Sequence, residues 1–173
     1  EFRRVLFRSL VEMTRPLDAA GVSWAVVPGV SSAMASAAAA GETLTLPEVT
    51  QTVILTRVAG RTPMPPGEEL EALAAHRSTL CIFLSITLLH EVQRALLAAG
   101  WPEDAPILVV QKASWPGEEK IVRGTLATIV AKVEGAQIDR TAMIVVSHCL
   151  GADYELSRLY APEFSHMFRK ASR

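Results

Sequence analysis

Three features of the 173-residue chain predict an α/β fold with helices on both sides of a sheet. Short apolar runs of strand length alternate with segments whose apolar residues recur at three- and four-residue steps. Glycines and prolines punctuate these segments at their ends. Half of the residues (50%) are apolar, enough for a substantial core in one ordinary domain or two small ones.

The elements follow in chain order. Residues 11–20 read as a helix that Pro16 kinks or restarts and Gly21 ends. Residues 24–27 read as a short buried strand, and 32–40 as a helix of very small side chains closed by Gly41. The stretch "GETLTLPEVTQ" (41–51) reads as a linker, with turn residues and a proline that disfavours helix. A second unit then opens with a strand at 52–56, a loop "RVAGRTPMPPG", a helix at 68–76 and a strand at 79–84. In the next helix, about 88–99, Leu89, Val92, Leu96 and Ala99 share one face before Gly100. Strands are expected at 107–110 and around Ile121-Val122. Thr125 is expected to cap a helix with Leu126, Ile129, Val130 and Val133 inward, and 142–146 is the last strand. The first nine residues, "EFRRVLFRS", have no signal-peptide pattern and read as a non-native, adapter-like tail, with the natural reading frame starting near Leu10.

Several function classes lack support. The formal net charge is −1 with scattered basic residues, so no nucleic-acid footprint exists. The longest apolar stretch, 80–89, is too short to span a bilayer. Cys81 and Cys149 each sit in an apolar run, as reduced core thiols of a cytosolic protein do. His76, His90, His148 and His166 form no metal-binding spacing and read as surface or capping residues. No G-x-S-x-G elbow surrounds Ser31, Ser114 or Ser147. Glu118 and Glu119 are adjacent, which opposes paired acid/base work and fits a solvated hairpin edge.

What is left is a set of small or flexible residues at strand ends: Pro28-Gly29, Leu84-Ser85, Lys112-Ala113-Ser114 and Ala142-Met143. In open α/β sheets ligands collect at such ends. Ser31 or Ser32 can be a helix N-cap or can meet a ligand, and both readings stand at this level.

The stretches "PGVSS", "LTLPEVTQTVILTR", "GRTPMP", "KASWPGEE", "RGTL" and "SRLYAPEFSHMFR" resemble the tetrapyrrole methyltransferases, and within them the branch acting at C11 of precorrin-4 or cobalt-precorrin-4. The resemblance implies the end of an N-terminal α/β domain (10–46), a linker (47–51) and a complete C-terminal α/β domain with a mixed sheet (52–173). The family's glycine-rich loop and G-D-P motif have no match here, which implies an N-terminally truncated and inactive chain. The resemblance further implies S-adenosylmethionine as methyl donor, a tetrapyrrole substrate, and a cytoplasmic homodimer. Motif by motif it assigns Ser31, Ser32, Leu84, Ala113 and Ala142 to the cofactor. Arg57, Arg61 and Lys112 suit the substrate's carboxylates, although each also reads as an ordinary solvated charge. Ser147 stands where the family commonly has glycine, which puts close backbone approach there in question. Another methyltransferase of the family or a non-catalytic dimerisation fragment are the competing readings.

Overall fold

A computed structural model of the chain describes residues 10–152; the adapter-like residues 1–9, His166 and the "SRLYAPEFSHMFR" tail lie outside the described residues. The chain divides into two compact units, at 1–30 and from Ser31 onward.

In the first unit, helix α1 spans Leu10–Ala19 with Pro16 inside it. Gly21, at φ +64°, closes it. The Gly21 amide donates to the Asp18 carbonyl and the Val22 amide to Leu17, so the last turn's free carbonyls find donors. The strand expected at 24–27 does not form. Trp24 is 43% exposed and Val27 86%, and none of the described strands pairs with this run. An apolar run becomes a strand only where a partner accepts its backbone groups.

The second unit begins with α2, Ser32–Ala40. Ser31 is its N-cap, with extended backbone and a side-chain oxygen that accepts from the Ala33 amide at 3.3 Å. Gly41, at φ +65°, closes it in the same manner as Gly21. Five strands follow: β1 (Val53–Arg57), β2 (Thr79–Phe83), β3 (Pro106–Gln111), β4 (Lys120–Thr125) and β5 (Ala142–Val146). Between them lie α3 (Leu70–Ala74), a turn of 3-10 helix (Ile86–Leu88), α4 (Leu89–Ala98) and α5 (Ile129–Gly135). The sheet order is β1-β2-β5-β3-β4. It is mixed: β1 and β2 are parallel, and every other pairing is antiparallel.

Side-chain alternation divides the central strands between two cores. Leu80, Ile82, Ile107, Val109, Ile144 and Val146 face α3, α4 and α5. Cys81, Phe83, Leu108, Val110, Met143 and Val145 belong to the other cluster, with Ala33 and Ala37 of α2. The continuous apolar runs of β2, β3 and β5 are thus the signature of a sheet covered on both faces. The alanines of α2 let its backbone lie close to β3 and β5, so α2 packs in the unit that starts at Ser31. The end of α2 is fastened by Arg123, whose guanidinium meets the Glu42 carboxylate and the Ala40 carbonyl.

Two helix starts differ from expectation. Thr125 is the last residue of β4, not a helix cap. Its amide donates to the Thr128 hydroxyl at 3.0 Å, forming a local turn that delays α5 to Ile129. The helix expected at 68–76 shrinks to α3. The turn after it contains Arg77, at φ +56°, whose guanidinium donates to the Gly100 carbonyl at 2.6 Å.

Both cysteines are buried free thiols, and burial pushes the Cys81 thiol from 9.0 to about 11. Neither is expected to react with a thiol reagent at pH 8 until urea unfolds the chain. The sign of the linkage follows: the folded chain holds the Cys81 proton more tightly than the unfolded chain. Its contribution to stability is therefore complete below pH 9.0 and is lost as pH rises toward about 11. A urea titration at pH 8 and pH 10.5 checks the direction.

Candidate functional site

One edge of the sheet gathers most of the residues singled out from sequence. β5 runs antiparallel to both neighbours, so its first residue lies where β2 and β3 end. Gln111 pairs with Ala142, and the Lys112 amide donates to the Thr141 carbonyl at 2.9 Å. The register Ile82↔Ile144, carried two residues further, sets Leu84 beside Ala142. Arg57 ends β1 at the same edge, opposite Phe83. Leu84, Ala113 and Ala142 therefore lie at the same end of the sheet, although Ala113 packs with the cluster on the α2 face and Ala142 with the cluster on the α3–α5 face.

The backbone at this edge is unusual. Leu84 (φ +55°), Lys112 (+50°), Ser114 (+67°) and Thr141 (+50°) all adopt the left-handed conformation without being glycine. Each such residue costs roughly 1–2 kcal/mol, and a β-branched threonine is the least suited of all. Glu48 also has positive φ, in the turn between Leu46 and Thr50, as do Arg77 and Gln137, which follow helices, where such a turn is ordinary. Strain concentrated where three strands meet marks a place where main-chain direction has been fixed against local preference.

Neighbouring side chains hold these turns. The buried Ser85 hydroxyl donates to the Phe83 carbonyl at 2.7 Å and accepts from the Val58 amide at 2.9 Å, tying the ends of β1 and β2 beneath Leu84. Gln111 donates from its side chain to the Arg140 carbonyl at 3.0 Å. The Ser114 amide donates to the Glu119 carboxylate at 2.7 Å, and Lys112 is paired with Glu118 while lying 5.3 Å from the Trp115 ring centre. Leu84 itself is 67% exposed, and Ala113 packs against the cluster that contains Ala33 of α2.

The other expected residues divide. Ser31 is occupied as the N-cap of α2, and Ser32 is the helix's first residue. The Arg57 guanidinium donates to the Val58, Thr62 and Pro63 carbonyls at 3.2, 3.1 and 2.9 Å, so it braces the loop after β1. Arg61 is exposed in that loop. Ser147 lies at the opposite edge of the sheet, fully buried, its hydroxyl 2.6 Å from that of Thr79 and accepting from the Cys149 amide at 3.0 Å. Its replacement of glycine therefore does not bear on the edge at Leu84 and Ala142. Glu118 and Glu119 are exposed on the hairpin, as read from sequence, and their carboxylates also lean back onto its start. Sequence reasoning named Ser85 only as a strand-end residue, without its bracing role, and missed Thr141.

Two grooves lie elsewhere, on the α3–α5 side. One of about 280 Å³ runs between α4 and α5, lined by Leu89, His90 and Val133. One of about 330 Å³ lies beside α3, lined by Met64, Leu70 and Arg94. Neither contains Leu84, Ala113 or Ala142. Among the described residues no group of three or more histidines, cysteines or carboxylates could hold a metal ion, and no helix is long and apolar enough to cross a membrane.

A sequence model of the tetrapyrrole (corrin/porphyrin) methylases matches residues 5–130. The chain belongs to that family. Its similarity to cobalt-precorrin-4 C(11)-methyltransferase of Methanocaldococcus jannaschii is 43% identity over 169 residues, covering 97% of this chain and 65% of the relative. Precorrin-4 C(11)-methyltransferase of Pseudomonas aeruginosa is 44% identical over 165 residues, 95% of this chain and 65% of the relative. Among solved structures, the X-ray structure of a cobalt precorrin-4 methyltransferase matches with a TM-score of 0.80 and 45% identity, over 84% of this chain and 60% of that one. A uroporphyrin-III C-methyl transferase from Thermus thermophilus, complexed with S-adenosyl homocysteine, matches with a TM-score of 0.65 and 25% identity, over 85% of this chain and 63% of that one. This methylase-family chain thus spans 65% of the length of the curated relatives it matches.

Proposed function

We propose that these residues form part of an S-adenosylmethionine-dependent methyltransferase acting at C11 of precorrin-4 or cobalt-precorrin-4. The observation that carries this reading is the 43% identity to an enzyme of that name along 97% of the chain. On this reading residues 10–46 are the end of a first domain and 52–173 a second, and the working protein is a cytoplasmic homodimer.

The edge at Leu84, Ala113 and Ala142 suits the methyl donor. Its adenosine half is neutral and partly apolar, and the edge offers an exposed leucine, two methyl-sized side chains and turns that hold main chain in fixed directions. Ser31 and Ser32, at the start of α2, extend the same set. Bound there, the donor would supply an electrophilic methyl group on a sulfonium. The chain's own task is positioning: Ala113 and Ala142 allow close approach, Leu84 covers apolar surface against water, and the braced turns keep the edge from yielding. Arg61 in its exposed loop, with Arg57 and Lys112 at the strand ends, would meet the carboxylates of the tetrapyrrole. Since Arg57 and Lys112 already have partners within the chain, Arg61 takes the largest share.

The reading also gives the edge one wall of a two-walled site, the other coming from the part of the relatives that this chain does not match. Methylation of precorrin-4 should be measured for the chain alone and for a fusion carrying the portion of the Methanocaldococcus relative that this chain does not match. The fusion should add one methyl group to precorrin-4, and the unfused chain should be far slower. Equal turnover by both would overturn the two-walled site, and no turnover by a well-folded fusion would overturn the activity.

A further inference from the structure

The adjacent carboxylates of the β3–β4 hairpin have no part in the chemistry above, yet they are the groups that hold its strained start. Ala113 is flanked by Lys112 and Ser114, both left-handed. The Ser114 amide donates to the Glu119 side chain at 2.7 Å, and Lys112 meets Glu118. Main-chain bonds tie Lys112 to Thr141 and otherwise close only a turn, the Trp115 amide donating to Lys112 and the Glu118 amide to Trp115, so the Ser114 amide is left to the Glu119 side chain. Two left-handed residues in three relax toward ordinary backbone unless something fixes them, and a carboxylate on a main-chain amide is a strong, directional tie.

We propose that Glu119 is a positioning residue, seconded by Glu118, that clamps the hairpin so that Ala113 presents its small side chain and main chain to the methyl donor. This inference rests on the reading that places the S-adenosyl group at this edge. It assigns Glu119 no contact with cofactor or substrate. Removing its carboxylate frees the Ser114 amide and lets the hairpin drift, while a glutamine in its place keeps an acceptor oxygen for that amide.

The test uses the chain itself, with amide hydrogen exchange and an S-adenosylhomocysteine titration followed by the chemical shifts of the Ala113 and Ser114 amides. Glu119→Ala should raise the exchange rate of the Ser114 amide by about tenfold or more and weaken the ligand by about five- to tenfold, the value of one ordinary hydrogen bond. Glu119→Gln should restore both to within about threefold of the parent chain. Unchanged exchange in Glu119→Ala overturns the clamp. Faster exchange with unchanged affinity overturns positioning and leaves Glu119 a purely structural tie. If the parent chain shows no ligand-induced shifts at Ala113 even at millimolar S-adenosylhomocysteine, the placement of the S-adenosyl group at this edge fails, and the positioning role fails with it.

Discussion

Trp101→Ala is expected to lower the unfolding free energy by about 3–5 kcal/mol, the usual cost of deleting a large buried aromatic. Trp101 is 2% exposed and belongs to the core beneath α3 and α4. Its indole nitrogen donates to the Ala74 carbonyl at 2.9 Å, closing the end of α3. The His148 ring stacks on it with centroids 4.7 Å apart and planes 1° from parallel, and the Arg77 guanidinium carbon lies 5.5 Å from its centre. Packing volume should outweigh the hydrogen bond. Trp101→Phe, which keeps an aromatic ring and loses the donor, should therefore cost only about 1–3 kcal/mol. Urea denaturation with an unchanged m-value separates the two variants. Equal losses in both would show that the indole nitrogen, and not the ring, carries the stability.

The second large effect concerns ligand binding. Ala113→Leu should weaken S-adenosylhomocysteine binding by about 5- to 150-fold in the fusion that carries the unmatched part of the relatives. Adding three carbons where a ligand is meant to approach costs roughly 1–3 kcal/mol, as overpacking does in cores. Calorimetry measures the affinity, and a melting curve within a few degrees of the parent shows that the hairpin has survived. Equal affinity in both proteins would remove Ala113 from the site.

The sheet was legible in the sequence because its central strands are covered on both faces. Leu80 to Phe83, Ile107 to Val110 and Met143 to Val146 are unbroken apolar runs, and no helix of so few residues would bury every side chain. The run at 24–27 is equally apolar, but hydropathy carries no information on whether a partner strand is present. The start of α5 was misplaced for a different reason. Thr125 is a good N-cap by residue type, yet its hydroxyl meets that of Thr128 at 3.1 Å and the Thr128 amide donates to its carbonyl, closing a turn before the helix starts.

Half of the candidate site was legible in the same sense. Leu84, Ala113 and Ala142 could be named from strand ends, although Ala142 begins its strand and reaches this edge only because β5 is antiparallel. The turns that shape the edge were not legible. Glycine announces a left-handed residue, whereas Leu84, Lys112, Ser114 and Thr141 take that conformation under tertiary constraint and leave no trace in composition. The bracing contacts of Ser85, Glu118 and Glu119 were hidden for the same reason: they are consequences of where the strands end.

The central claim is that the edge where β2 and β3 end and β5 begins is the face that meets the methyl donor. A titration of the isotopically labelled chain with S-adenosylhomocysteine tests it most directly, by recording which backbone amides shift. The account predicts that the shifts concentrate at Leu84, at Ala113 and Ser114, and at Thr141 and Ala142, and saturate at millimolar ligand. Shifts confined to His90 and Val133 in the groove between α4 and α5, with the edge residues unmoved, would contradict it.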